Sequence, residues 1–171
     1  MPDGTPKPLK DNTFIASAHA KAEIRRSLVL IAKGLIGIPY RMRKPDETDW
    51  TIGKWIDLSK PPVSLDCSGL THGVYKSHGL SLPHGSQNQF NETIVLETGK
   101  EQQGDLAFFG SGKDITRIYH VGIIYDDEFI LESRAFDPKA SFPTGKVILR
   151  PKERWEKYSN FCGYRVHEKL I

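Results

Sequence analysis

The chain has 171 residues, a formal net charge of +3 and two cysteines. This length is enough for one domain with a sizeable core, and so mild a positive charge does not by itself indicate nucleic-acid binding. Two cysteines cannot provide a disulfide framework, and no stretch of the sequence is long and apolar enough to span a membrane.

The N-terminal part of the chain changes from a tail to a helix. Residues 1–15 contain several prolines and lysines and predict a flexible tail. They lack the apolar segment of a signal peptide, so the location stays open: cytoplasmic, or secreted or periplasmic if a leader was removed or another export route is used. From Ala16 to Gly37, apolar residues recur at helical spacing and predict an amphipathic helix.

The stretch around Cys67 carries the strongest chemical signal. Asp66 or Ser68 is suited to cap a helix there, because apolar residues recur at helical spacing directly afterwards. A helix N-terminus carries partial positive charge and free backbone N–H groups, which favour a thiolate and stabilise an oxyanion. The stretch therefore predicts a cysteine nucleophile on a helix that ends near Gly79.

Beyond Gly104 the pattern changes from helical to extended. Runs of β-branched and aromatic residues alternate with turn residues and predict strands at 105–109, 119–125, 128–136, 146–150 and 161–167. A further short helix is predicted at 87–92. Because helices come first and antiparallel strands follow, the sequence indicates an α+β fold with helices packed on an antiparallel sheet.

His120 is the best candidate for the base that a cysteine nucleophile needs, and Glu132 is the best candidate for orienting that base. A three-residue turn at 126–128 places Glu132 on the same face of the sheet as His120. A two-residue turn would instead place Ser133 opposite His120. We favour Glu132, since a carboxylate supports a charged imidazole better than a hydroxyl group does.

Two small residues near these positions have structural interpretations. Gly122 removes a side chain beside His120 and is expected to leave room for the thiol or a substrate. Cys162 lies in an apolar strand and is predicted to be a buried, inert thiol.

The remaining polar residues indicate neither a metal nor a nucleic-acid site. Arg150, Lys152 and Arg154, like the basic residues at positions 41, 43 and 44, are interpreted as solvated surface charges that could attract an anionic polymer. A zinc site built from Cys67, His72 and His120 has no support from spacing.

A series of motifs, in a fixed order, shows which family the chain resembles. They are Asp66-Cys67-Ser68-Gly69-Leu70, Gly79 with Leu82-Pro83 and Gln89, Gly104-Asp105-Leu106-Ala107-Phe108-Phe109, His120-Val121-Gly122-Ile123, and the flanking Ile38-Pro39-Tyr40 and Phe161-Cys162-Gly163-Tyr164-Arg165. Together they resemble the NlpC/P60 family of papain-like cysteine peptidases of bacterial cell-wall peptides. The resemblance covers residues 18–168 and implies a papain-like fold and a single catalytic domain over 16–171.

The resemblance implies a catalytic role for three residues. Cys67 matches the nucleophile and His120 matches the general base. Glu132 falls on the third polar position, which is commonly histidine in the family and sometimes asparagine, glutamine or an acid.

The resemblance also implies substrate contacts. Tyr40 matches a tyrosine that helps to bind substrate or to stabilise the oxyanion, and Asp66 and Ser68 match a pair that binds the free amine of the stem peptide in some members. The chain departs from the family pattern at His84, where an arginine is usual, and in an insertion over residues 42–64. That insertion is expected to lie near the cleft, and its two tryptophans suit either a pocket wall or plain packing.

The activity that the resemblance implies is hydrolysis of the amide bond between γ-D-glutamyl and a diamino acid in peptidoglycan stem peptides, without a cofactor or metal. The expected partner is a murein stem peptide rather than nucleic acid, and the sequence does not indicate an oligomeric state. An alternative is an acyltransferase or thioesterase-like enzyme that uses the same cysteine and histidine. Transfer of the acyl group to an acceptor other than water would distinguish it. A non-catalytic interaction module is another alternative, and its Cys67 would not react at neutral pH.

Overall fold

The computed structural model describes residues 9–42, 62, 64–135 and 145–171. Its helices are α1 (Leu9–Gly34), α2 (Cys67–Lys76), α3 (Ser86–Glu92) and α4 (Lys152–Lys157), followed by a 3₁₀ turn at Glu168–Leu170. Its strands are β1 (Ile94–Leu96), β2 (Leu106–Ser111), β3 (Asp114–Ile124), β4 (Phe129–Ser133), β5 (Val147–Pro151) and β6 (Phe161–Val166). The predicted α+β class is confirmed.

The strands form one antiparallel sheet in the order β1-β6-β2-β3-β4-β5. Helix α2 packs against β3 and β4, α1 packs on α2, and α3 packs against β3. The predicted arrangement, N-terminal helices on an antiparallel sheet with Cys67 at a helix N-terminus, is therefore confirmed. No helix in the part of the chain that the structure describes has both the length and the apolarity to cross a membrane.

Helix α1 begins at Leu9, so the helix start predicted near Ala16 is too late. After Pro8 the sequence contains no glycine or proline until Gly34, and nothing interrupts the helix before that residue. Residues 1–8 lie outside the described residues. So does nearly all of the insertion predicted over 42–64.

The sheet has an apolar layer on each face. Between the sheet and the helices lie buried residues that include Leu28, Leu70, Phe108 and Val121. The other face is covered by α4, which buries Trp155 against Phe109 and Ile130. Because successive side chains of a strand point to opposite faces, β2 contributes Phe108 to one layer and Phe109 to the other.

Candidate active site

Helix α2 begins at Cys67, and the side chain of the preceding residue caps its N-terminus. The Oδ1 atom of Asp66 accepts a hydrogen bond of 2.6 Å from the backbone N–H of Gly69. The Oγ atom of Ser68 lies instead 3.3 Å from Nδ1 of His84. Asp66 therefore caps α2, and the partly exposed Cys67 thiol lies in the first turn of the helix.

Buried polar contacts fix the backbone on both sides of Cys67. The Nε2 atom of the fully buried Gln89 donates to the carbonyls of Ser68 at 2.9 Å and of Pro83 at 2.8 Å. On the other side, Ser133 Oγ donates to the carbonyl of Leu65 at 2.7 Å. The start of α2 is thereby tied both to α3 and to the end of β4.

The β3–β4 hairpin has the register that the three-residue turn predicts. Ile123 pairs with Leu131, and the N–H of Tyr125 donates to the carbonyl of Phe129 at 2.9 Å. Continued by one position, this register sets residue 122 opposite Glu132. The predicted placement of Glu132 on the face of His120 is confirmed.

His120, Glu132 and Arg150 form a row of charged and ionisable groups. Nε2 of His120 lies 3.6 Å from Oε1 of Glu132, which is longer than a hydrogen bond but within reach of an ion pair. Oε2 of Glu132 accepts from Nε and Nη2 of Arg150 at 3.1 and 3.0 Å. Glu132 is fully buried, and the guanidinium fixes its carboxyl group in position beside the imidazole.

The interpretation of Arg150 as a solvated charge is wrong. Arg150 is only 8% exposed, and its guanidinium carbon lies 5.0 Å from the ring centre of Trp155 and 5.7 Å from that of Tyr158. The aromatic rings and Glu132 together compensate the buried charge. Lys152 is also paired, at 2.5 Å from Glu101, whereas Arg154 is exposed as expected. Residues 43 and 44 lie outside the described residues.

The pKa of His120 is set by opposing effects. Burial alone would lower it, but interactions with Cys67 and with Glu132 outweigh burial and raise the pKa to about 9. The imidazole therefore favours its protonated form at neutral pH. A protonated imidazole between a thiol and a carboxylate is suited to hold a thiolate and later to donate its proton.

Gly122 does not leave room for the thiol or a substrate, as the sequence suggested. A Cβ atom there would lie 2.7 Å from Cγ2 of Ile130 and 3.0 Å from Cη2 of Trp155. The indole of Trp155 in turn stacks on the imidazole of His120, with ring centres 5.5 Å apart and ring planes inclined by 29°. The glycine therefore makes room for the tryptophan that supports His120.

A cavity of about 530 Å³ connects Tyr40, Cys67 and His120. The backbone of Tyr40 pairs with that of Leu65 in an isolated parallel β-bridge. Met42, the first residue of the predicted insertion, also lines the cavity. Burial, and then the negative charges of Cys67 and Asp66, raise the pKa of Tyr40 to about 12. Its hydroxyl group stays protonated and can donate a hydrogen bond.

Cys162 and His72, which the sequence also singled out, lie outside the row of His120, Glu132 and Arg150. Cys162 is half-buried rather than buried, and burial raises the pKa of its thiol. His72 contacts the carbonyl of Leu82. Among the described residues, no group of three or more His, Cys, Asp or Glu side chains is arranged to hold a metal ion.

A helix that begins with a cysteine, packed on an antiparallel sheet that carries a histidine, defines a protein of the papain-like class. The NlpC/P60 family model matches residues 48–143, more than half of the chain, and the chain belongs to that family. The sequence predicts Cys67, His120 and Glu132 as site residues but does not indicate Arg150, Trp155 or Arg134, which either support the site or line its cavity.

Named relatives of the chain are peptidases. The chain is 35% identical over 155 residues to the gamma-D-glutamyl-L-lysine dipeptidyl-peptidase of Bacillus cereus, a match that covers 90% of this chain and 41% of that protein. It is 27% identical to the peptidoglycan endopeptidase RipB of Mycobacterium tuberculosis, over 80% of this chain and 52% of that protein. The chain thus spans about two fifths to half of the length of these relatives.

Solved structures share the fold. An NlpC/P60 family protein from Bacillus cereus superposes with a TM-score of 0.63 at 24% identity, covering 84% of this chain and 40% of that one. RipB of Mycobacterium tuberculosis superposes with a TM-score of 0.58 at 21% identity, covering 85% of this chain and 65% of that one.

Proposed function

We propose that this protein is a cysteine peptidase that hydrolyses an amide bond in peptidoglycan stem peptides, between a γ-D-glutamyl residue and a diamino acid. The observation that carries the proposal is the row Cys67, His120 and Glu132, in which the cysteine begins α2 and the histidine lies 3.6 Å from the carboxylate. The named relatives support the substrate, since one acts on γ-D-glutamyl-L-lysine and another on peptidoglycan.

The first step is attack by Cys67. Nε2 of His120 is directed at Glu132, which leaves Nδ1 to accept the thiol proton. The raised pKa of His120, about 9, favours the resulting thiolate–imidazolium pair near neutral pH. The sulfur then forms a bond to the scissile carbonyl carbon, and the carbonyl electron pair moves to its oxygen.

The oxyanion receives hydrogen bonds from two directions. The backbone N–H of Cys67 lies in the first turn of α2, where the helix dipole favours negative charge. The Tyr40 hydroxyl lines the same cavity and stays protonated, because its pKa is about 12. Together these donors form the proposed oxyanion site.

Collapse of the intermediate breaks the carbon–nitrogen bond. The imidazolium of His120 gives its proton to the leaving amine, and the γ-D-glutamyl group remains as a thioester on Cys67. Water, deprotonated by the now neutral His120, attacks the thioester and releases the acid and the free thiol. Glu132 and Arg150 position His120 throughout.

Asp66 and Ser68 remain proposed contacts for the free amine of the stem peptide. Both side chains flank Cys67 at the start of α2. Asp66 already caps the helix through Oδ1, so its replacement affects α2 as well as any substrate.

Mass spectrometry of purified muropeptides and free stem peptides, incubated with the protein, tests the proposed reaction. The wild type should release fragments whose masses identify the γ-D-glutamyl bond, and Cys67→Ala should release none. Cys162→Ala removes the other thiol, which lies outside the cavity, and should cleave like the wild type. Unchanged muropeptides, alongside a Cys67 that iodoacetamide alkylates rapidly near neutral pH, would overturn the murein substrate. Transfer of the acyl group to an amine or alcohol would favour an acyltransferase.

A further inference from the structure

The described lining of the cavity beside Cys67 carries positive but no negative side chains. Two arginines, Arg134 and Arg150, line it together with Cys67 and His120, and its described lining contains no aspartate or glutamate. The remaining polar groups of the lining are hydroxyls and an amide. An anionic ligand is therefore favoured in this cavity over a cationic one.

The two arginines differ in how their charges are compensated. Arg150 donates twice to Glu132, so its charge is already paired. The structure shows no ion pair or side-chain hydrogen bond from Arg134 to any other described residue, although its side chain is partly buried. Of the two arginines in the described lining, Arg134 is therefore the one whose charge is available to a ligand.

The backbone of Arg134 is fixed although its side chain is not. Arg134 directly follows β4, two residues after Glu132, and its N–H donates to the carbonyl of Lys146 at 3.1 Å. The guanidinium is therefore attached to the same strand that orients His120. A ligand group bound there is positioned relative to the reacting atoms and not merely attracted to the surface.

We propose that Arg134 binds a carboxylate of the substrate. A guanidinium and a carboxylate form two parallel hydrogen bonds, which gives both affinity and orientation. The inference rests on the proposed function, because a terminal γ-D-glutamyl-L-lysine unit carries two free carboxylates. One is the α-carboxylate of the glutamyl residue, and the other is the carboxylate of the lysine that leaves.

Three synthetic tripeptides distinguish the two sources: L-Ala-γ-D-Glu-L-Lys, the same peptide with the glutamyl α-carboxylate as its amide, and the same peptide with the lysine carboxylate as its amide. Steady-state kinetics on the wild type should show one amide cleaved with a kcat/KM roughly tenfold to a hundredfold lower, mainly through KM. The peptide affected identifies the carboxylate that Arg134 binds.

Arg134→Gln should lower kcat/KM for the parent tripeptide by a similar factor and should cleave all three peptides alike. Arg117→Gln removes an exposed arginine outside the cavity and is the matched control, which should discriminate as the wild type does. Arg134→Lys keeps the charge and should retain part of the discrimination. Equal rates on all three peptides with the wild type, or discrimination that persists in Arg134→Gln, would overturn the proposal.

Binding separates this proposal from the proposed function. Isothermal titration of Cys67→Ala with the three peptides measures affinity without turnover, and an amide that binds roughly tenfold or more weakly than the parent supports the carboxylate site even if the wild type cleaves none of them. Equal binding of all three peptides by Cys67→Ala contradicts the carboxylate site, while cleavage by the wild type would still support the peptidase.

Discussion

Nε2 of His120 lies 3.6 Å from Oε1 of Glu132, and neither atom has a hydrogen-bond partner among the described residues. Both atoms are buried, and an unpaired polar atom in such surroundings is costly unless the two compensate each other. The pair gains most when His120 is protonated, because a positive imidazole then faces a negative carboxylate. This relationship is the basis of the predicted pH dependence.

Glu132→Gln keeps the size of the side chain but removes its negative charge. Burial lowers the pKa of His120 and Glu132 helps to raise it, so the variant should lose its imidazolium at a lower pH than the wild type. We expect the alkaline limb of kcat/KM, near pH 9 in the wild type, to move down by about one pH unit, and kcat/KM to fall roughly tenfold to a hundredfold. A pH–rate profile measures both effects. A limb at an unchanged pH would show that Glu132 does not act on His120.

Arg150→Met removes the guanidinium from Glu132 while keeping an apolar side chain under Trp155 and Tyr158. The buried carboxylate then lacks its partner, so we expect the free energy of unfolding to fall by about 3–5 kcal/mol. Without Arg150, Glu132 is no longer fixed beside His120, so the alkaline limb should move in the same direction as in Glu132→Gln. Urea denaturation and the pH–rate profile measure the two effects.

Arg154→Met is the control for Arg150→Met, because Arg154 is exposed on α4. It should change stability by less than about 0.5 kcal/mol and should leave the pH profile unchanged. If Arg150→Met lost stability but kept the wild-type pH profile, Arg150 would be structural only.

Gly122→Ala places a methyl group against Ile130 and Trp155, at 2.7 and 3.0 Å. Overpacking of this kind should lower the free energy of unfolding by about 1–3 kcal/mol. Because Trp155 lies on the imidazole of His120, kcat should fall as well. Chemical denaturation and steady-state kinetics check both.

Ile130→Ala removes one of the atoms that the new methyl group meets and tests the cause of the Gly122→Ala effect. The double variant should lose less stability than the sum of the two single variants, since the methyl group partly fills the space that isoleucine leaves. Additive losses would indicate that the glycine is needed for some other reason.

Arg25→Met tests a buried ion pair far from the cavity. Nη1 of Arg25 lies 2.6 Å from Oδ1 of Asp105, and both side chains are at most 8% exposed. Without the guanidinium the buried carboxylate keeps a hydrogen bond from the backbone N–H of Gln102 but loses its counter-charge, so stability at pH 7 should fall by about 3–5 kcal/mol, as measured by urea denaturation. Burial raises the pKa of Asp105 and Arg25 opposes that rise, so the variant's carboxyl takes up a proton at a higher pH and the loss should shrink as the pH falls.

Arg26→Met is the matched control on the same helix. Arg26 is 60% exposed and pairs with Glu23 at the surface, an interaction worth about 0–1 kcal/mol. A comparable loss in both variants would mean that burial of the Arg25 pair is not the cause.

The sequence predicted the parts of the site that local rules determine. The cap of α2 follows from a polar residue before a helical pattern, and the register of β3 and β4 follows from a short turn between two strands. Once that turn is fixed, the alternation of side chains places Glu132 with His120.

The partners that come from distant elements were not predictable. Arg150 reaches Glu132 diagonally across β4 and β5, which are joined by a connection too long for hairpin-turn rules to fix their register. Trp155 lies on α4, a helix too short to show a periodic pattern, so the space next to Gly122 could not be assigned to it. In each case the missing information was a tertiary contact.

During turnover, Cys67 is expected to form a covalent bond to the acyl part of the substrate. Intact-protein mass spectrometry of the wild type, quenched with acid during turnover of L-Ala-γ-D-Glu-L-Lys, should show an adduct with the mass of the L-Ala-γ-D-Glu acyl group on the peptide that contains Cys67. Cys67→Ala should show neither adduct nor hydrolysis. Hydrolysis that persists in Cys67→Ala would contradict the account.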